Sequence, residues 1–142
     1  MKLLRVLLVD DNPEDIFLAR EVFQEHQGHV ELVTCQSGPD ALEYLRRHAE
    51  AAYLPDVVLL DINMPGMSGF ELLRAIKDDG ALAHIPVVML TTSDHPEDVR
   101  EAYTLHASSY LIKSETFQAF MEQIDAFVTY WQRNRLRHWP AR

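Results

Sequence analysis

Short runs of consecutive Val, Ile and Leu recur along the chain, at Leu3 to Val9, Val57 to Leu60 and Pro86 to Leu90, and each gives way to polar residues. A strand buried on both faces, as in a parallel sheet, carries an unbroken apolar run instead of an alternating one. A weaker run at Val30 to Cys35 and a short one at Tyr110 to Ile112 bring the predicted strands to five. The segments between them repeat apolar residues at the helical period. The first opens at Asn12-Pro13-Glu14-Asp15, where Asn12 suits a cap, Pro13 the first helical position and the two acids the positive end of the helix dipole, with Ile16, Ala19 and Phe23 facing inward. A second helix begins near Ser37 and buries Ala41, Leu42 and Leu45. The third starts with the capping-box pattern Ser68-Gly69-Phe70-Glu71 and buries Leu72, Leu73 and Ile76. The fourth starts around Pro96, with Val99, Ala102, Tyr103 and His106 on one side. The fifth carries a broad apolar face of Phe117, Phe120, Met121, Ile124, Phe127, Val128 and Trp131.

Strands alternating with helices predict an α/β fold, a doubly wound five-stranded parallel sheet with helices on both faces, because right-handed crossovers place them there. No repeat, low-complexity stretch or long Pro/Gly linker divides the chain, although Ala49 to Tyr53 reads as a slightly long loop. The expected division is one domain over 1–130, followed at 131–142 by an extension of the last helix and a basic aromatic tail.

Composition narrows the partners. The 142 residues are 47% hydrophobic and 25% charged, an ordinary balance for a domain with a packed core. The formal net charge of -9 repels DNA, RNA and anionic lipid at long range, so direct nucleic-acid binding is not expected. Against this trend, Arg133, Arg135, Arg137 and Arg142 cluster beside Trp131 and Trp139. They suit either a solvated helix end or contact with something acidic. The lone Cys35 forms no intramolecular disulfide and reads as a small core residue. No apolar run approaches the roughly 18 residues that span a membrane, and the charged start does not resemble a signal peptide, so a cytoplasmic location is expected.

In open α/β sheets, ligands bind beyond the carboxyl ends of the strands, where strand order reverses. The polar residues at those ends are Asp10 and Asp11 after the first strand, Asp61 after the third, Thr91 at the fourth and Lys113 at the fifth. For the strand order 2-1-3-4-5, the three carboxylates meet at the switch point. Crowded carboxylates repel one another unless a cation neutralises them, and magnesium, a hard ion that takes oxygen ligands, suits the task. One carboxylate then remains free to act as a nucleophile toward a phosphoryl group, and Asp61 is the candidate. Thr91 offers a hydroxyl donor and Lys113 a compact positive charge to the arriving oxygens, which suits a loose transition state. Taken singly, each residue also fits a turn, a strand end or a solvated surface; the joint placement on one sheet edge carries the reading.

The stretches Leu7-Leu8-Val9-Asp10-Asp11-Asn12, Val57-Val58-Leu59-Leu60-Asp61-Ile62-Asn63-Met64-Pro65-Gly66-Met67-Ser68-Gly69 and Ile85-Pro86-Val87-Val88-Met89-Leu90-Thr91 resemble receiver domains of response regulators. The resemblance spans Leu3 to about Val128. It implies the flavodoxin-like receiver fold and a role in a two-component phosphorelay: a histidine kinase donates a phosphoryl group to Asp61, and the signal is an altered protein surface. It further implies that Asp10 and Asp11 hold Mg2+ together with Asp61 and the backbone carbonyl of Asn63, that Lys113 binds the phosphate, and that Thr91 and Tyr110 form the switch pair. Catalysis is limited to self-phosphorylation and slow autodephosphorylation. The loop before Pro55, the Lys113-Ser114 pair and the extension after the fifth helix are similar to stand-alone regulators paired with bacterial phytochrome kinases. Two positions depart from the family pattern. Thr92 stands where a small residue is common, and Ser114 replaces the usual proline, which frees it to cap the fifth helix.

The rival readings fare worse. Phosphatases with a strand-end Asp nucleophile need a second Asp as proton donor where Asn63 stands. A nucleotide-binding domain would need a glycine-rich loop where Asp10-Asp11-Asn12-Pro13 stands. A phosphorylation-independent interaction module usually goes with lost site residues, and all are present. Beyond the core stripe, Tyr130, Trp131, Leu136 and Trp139 predict a homodimer through the fourth helix, fifth strand and fifth helix, unless they fold back as a brace.

Overall fold

The computed structural model describes residues 3–51 and 53–134. In chain order the elements are β1 (Leu4–Val9), α1 (Pro13–Gln24), β2 (Val30–Cys35), α2 (Gly38–Glu50), β3 (Val57–Leu60), α3 (Gly69–Asp78), β4 (Val87–Thr91), α4 (Pro96–Thr104), β5 (Ser109–Ile112) and α5 (Phe117–Asn134). The sheet is wholly parallel, in the predicted order β2-β1-β3-β4-β5. Alternate strand residues feed two separate cores, which is why the strands read as unbroken apolar runs. Leu7, Val9, Val58 and Leu60 pack with Leu45, Leu72 and Ile76 of α2 and α3. Val6, Leu8, Val57 and Leu59 pack on the other face with Ile16, Phe23, Ile124 and Phe127 of α1 and α5.

The caps follow the sequence closely in three helices. Asn12 Oδ1 accepts the backbone N–H groups of Glu14 at 2.9 Å and Asp15 at 3.4 Å. Ser37 caps α2 through Asp40, and Ser68 with Glu71 forms the full capping box of α3. At α5 the expectation fails: Thr116, not Ser114, caps the helix, accepting the Ala119 N–H at 3.1 Å. β5 ends at Ile112, and the chain uses the next residues to cross from the sheet edge to the helix. Ser114 is instead held by Gln123, whose Oε1 accepts from both the backbone N–H and the hydroxyl of Ser114 at 3.4 Å. The Gln123 amide also donates to the Ile112 carbonyl at 2.9 Å.

Other placements differ from the pattern. Phe117, expected inside, is half exposed, because it stands on the first turn of α5 beyond the end of the sheet. On α4 only Ala102 is fully buried, Tyr103 is half exposed, and His106 adopts φ 71 just past the helix. α4 lies over the sheet edge, where there is less apolar surface to cover. Trp131, read both as part of the apolar face of the fifth helix and as an addition to an exposed patch, is buried and packs against Phe127 and Tyr130, so it belongs to the face and not to the patch. α5 ends at Asn134, and Arg135, Leu136, Arg137, Trp139 and Arg142 of the expected extension and tail lie outside the described residues. α2 takes in Ala49 and Glu50, the first two residues of the expected loop, and Tyr53 near its end is fixed by the Arg5 guanidinium 3.3 Å above its ring.

Lys77 on α3 ties that helix to the segment before β4, donating to the carbonyls of Ala83 at 3.1 Å and Ile85 at 2.9 Å. Burial pushes its pKa down, yet the ammonium gives both carbonyls a charged donor. Lys77→Met leaves them without it, and chemical denaturation should register a loss of about 1–3 kcal/mol. An unchanged denaturation midpoint would show that the tie carries no stability.

Candidate functional site

Parallel strands deliver their carboxyl ends to one edge, so register decides which polar residues meet there. Val9 pairs with Leu60, and the Asp61 N–H donates to the Val9 carbonyl at 3.0 Å, which puts Asp10 and Asp61 side by side. On the other flank, the Lys113 N–H donates to the Thr91 carbonyl at 2.8 Å, bringing β5 up to β4. The loop after β3 turns at Gly66, whose φ of 78 falls in the left-handed region that favours glycine. Gly69 then lets α3 press against the loop, its N–H donating to the Ile62 carbonyl at 2.8 Å.

The three predicted carboxylates do converge. Oxygens of Asp10, Asp11 and Asp61 all lie within 4.8 Å of one another. Asp10 is 1% exposed and Asp61 8%, while Asp11 is partly open to solvent. Lys113 Nζ reaches Asp10 Oδ2 at 2.7 Å and stands 3.8 Å from Asp61 Oδ2. Burial raises the pKa of Asp10 above the usual carboxylate value, with help from the Asp61 charge and against the bonds from Lys113 and the Asn12 N–H. Burial works against the Lys113 ammonium, but its hydrogen bonds to Asp10 and Asp15 and the nearby acid charges prevail and hold its pKa up.

Thr91 is fully buried, and its Oγ1 accepts the Ser93 N–H at 3.4 Å. Tyr110 is partly buried and donates its hydroxyl to the Ser93 carbonyl at 2.9 Å. The two predicted switch residues therefore meet through Ser93, whose own hydroxyl donates to Asp98 on α4. Asn63 lies in the exposed loop two residues past Asp61, and Thr92 is exposed beside Thr91.

Two contributors escaped the sequence reading. Ser93 sits in the loop between β4 and α4, where a serine is unremarkable in sequence. Asp15 reads in the sequence as a helix-dipole acid, but its Oδ2 accepts from Lys113 Nζ at 2.7 Å. The spacing could have revealed it, since α1 starts at the strand edge and its first turn looks across to β5.

The donor set fits a divalent metal: every acidic group is an oxygen donor, the site is partly buried, and the one ammonium is shared among Asp10, Asp15 and Asp61, leaving the three converging acids short of positive charge. Among the described residues, no helix is long and apolar enough to cross a membrane.

The sequence matches the response regulator receiver domain family over residues 6–125. It is 34% identical over 128 residues to the response regulator Rcp1 of Synechocystis, covering 89% of this chain and 87% of that protein. It is 39% identical over 129 residues to a probable methanogenesis regulatory protein, FilR2, of Methanothrix harundinacea, covering 89% of this chain and 82% of that protein. Among solved structures, the phosphorylated cyanobacterial phytochrome response regulator RcpA aligns with a TM-score of 0.85 at 35% identity, over 92% of this chain and 94% of that one. The Mn2+-bound form of Rcp1 aligns with a TM-score of 0.82 at 33% identity, over 92% and 95%. The acidic strand ends, the parallel order and these matches agree: the chain belongs to the response regulator receiver domain family, signalling domains of two-component systems.

Proposed function

We propose that Asp61 accepts a phosphoryl group from the phosphohistidine of a sensor histidine kinase, and that a bacterial phytochrome is the kinase. The observation that carries the reading is the convergence of Asp10, Asp11 and Asp61 within 4.8 Å, with Lys113 3.8 Å from the Asp61 carboxylate. Likeness to RcpA and Rcp1 supports the choice of kinase.

An Asp61 carboxylate oxygen attacks phosphorus, the phosphorus–nitrogen bond breaks, and the histidine ring leaves with the bonding pair. Asp10, Asp11, Asp61 and the Asn63 carbonyl would hold Mg2+, which when bound neutralises charge on the acids and the phosphoryl oxygens. Lys113 supplies a positive charge that the fold already holds beside Asp61, so little reorganisation is needed during transfer. Thr91 donates its hydroxyl to a phosphoryl oxygen. As Thr91 Oγ1 turns toward the phosphoryl group it moves off the Ser93 N–H, which it now accepts at 3.4 Å, and Ser93 carries the change to the Tyr110 hydroxyl. Slow hydrolysis of the aspartyl phosphate resets the domain. Acetyl phosphate with magnesium should add one phosphoryl mass to the intact protein, and the yield should collapse with a chelator. Equal yield in the two conditions would remove the metal from the reaction.

The signal is an altered surface on the receiver unit, 1–130, and 131–142 serve as its helical extension and basic tail. The protein works in the cytoplasm and makes no direct contact with nucleic acid. It forms a homodimer through α4, β5 and α5, where Tyr103, Ile112 and Tyr130 are about half exposed. With Trp131 in the core, Tyr130, the most exposed of the aromatics of α5 in the described residues, carries the α5 contact. Sedimentation equilibrium with beryllofluoride should show a dimer that Tyr130→Ala weakens at least threefold, as expected for an aromatic at an interface. Crystals of the same sample should show Tyr110 released from Ser93. A monomer under both conditions, or an unmoved Tyr110, would contradict the respective claim.

A further inference from the structure

Lys113 has a partner that phosphoryl chemistry does not require. An ammonium has three N–H donors. One reaches Asp10 Oδ2 and another Asp15 Oδ2, each at 2.7 Å, while Asp61 Oδ2 lies farther away at 3.8 Å. Asp15 stands on the first turn of α1, a third exposed, and is not one of the three acids whose oxygens converge.

The two close partners have different fates when a metal arrives. Asp10 belongs to the converging oxygen set, so a divalent ion drawing on its carboxylate competes with the ammonium for Asp10 and repels it. Metal binding therefore weakens the hold of Lys113 on Asp10. The lysine side chain is only a tenth exposed, so without another acceptor it would be left leaning on Asp61, the nucleophile. Asp15 supplies that acceptor, already 2.7 Å from the ammonium.

We infer that Asp15 is a positioning residue that holds the Lys113 ammonium off the metal's oxygens while leaving it beside Asp61, within reach of an incoming phosphoryl group. The inference rests on Asp10, Asp11 and Asp61 being the metal's carboxylates. Its signature is metal affinity, because Asp15 acts by removing Lys113 as the metal's competitor for Asp10.

Isothermal titration of Mg2+ into the full chain tests this with Asp15→Asn, Asp15→Glu, Lys113→Met and the double variant Asp15→Asn with Lys113→Met. Asp15→Asn should weaken Mg2+ binding roughly three- to tenfold, as expected for coupled charged neighbours. In the Lys113→Met background the same change should alter affinity less than about twofold, because no competitor remains. Asp15→Glu, which keeps the carboxylate, should recover most of the loss, and Lys113→Met alone should bind Mg2+ more tightly than the native protein. An equal loss in both backgrounds would reduce Asp15 to a general negative charge and overturn the proposal, as would no loss at all. Asp11→Asn separates the two levels. If it binds Mg2+ as well as the native protein does, or if the native protein binds none, the metal reading fails and the role of Asp15 falls with it.

Discussion

Phosphoryl incorporation should disappear in Asp61→Asn, while the metal-free variant unfolds at a temperature no lower than the native protein. The amide keeps the shape of the carboxylate but removes the nucleophile, and no other acid occupies the same position at the end of β3. Asp10 is engaged by the Asn12 N–H at 2.9 Å and by Lys113 at 2.7 Å, so it is poorly placed to substitute. Stability should move the other way because Asp61 is nearly buried beside two further acids. Removing one charge relieves repulsion, and Lys113 keeps its shorter pairs with Asp10 and Asp15. A gain of about 1 kcal/mol is the expected scale for repairing a strained functional site. Intact mass after acetyl phosphate, paired with thermal melts in chelator, checks both halves. Undiminished incorporation would move the acceptor elsewhere, and a marked drop in melting temperature would mean that Asp61 contributes more structurally than it costs.

Gly69→Ala should be the most damaging change of a single methyl group near the site. A Cβ there would overlap the Asp61 carbonyl oxygen and come within 2.8 Å of Ile62 Cα. Both obstacles are backbone, so no side chain can turn aside. Either α3 retreats, breaking the Gly69 to Ile62 hydrogen bond and the packing of Leu72, Leu73 and Ile76, or the Asp61 loop moves. Overpacking of this kind costs about 3 kcal/mol or more when the neighbours cannot yield. A shift of the loop by a fraction of an ångström to one ångström would slow phosphorylation by about 100-fold, since the nucleophile must be placed accurately. Urea denaturation and the initial rate of labelling measure the two costs. Gly28 provides the contrast, because nothing lies within 4 Å of the Cβ it would gain, and Gly28→Ala should leave labelling unchanged. A Gly69→Ala protein with native stability and native rate would show that α3 can back away freely.

Much of this was legible in the chain. The apolar runs marked all five strands to within a residue or two, and Asn12, Ser37 and Ser68 marked three helix starts, because capping and two-sided burial are local in sequence. Asp10, Asp11, Asp61, Thr91 and Lys113 could be assigned to one edge once the strands were parallel, since every strand then ends on the same side. Where the apolar period ran past the sheet, it misled: Phe117 and Tyr103 have the spacing of core residues but lie where no sheet remains to cover them.

What the sequence alone determined is the set of groups at the strand ends and the type of chemistry they support, because residue type and strand direction suffice for that. Only the tertiary structure decided the pairings. Lys113 meets Asp15 across 98 positions of chain, and Tyr110 meets Ser93 across 17, in contacts set by the packing of α1 against α5 and of α4 against β5. Trp131 likewise joined the core because α5 lies along the sheet face long enough to bury its fourth turn. Periodicity states which face of an element is apolar, but the reach of the neighbouring element decides where that face stops being covered and which distant charges it brings together.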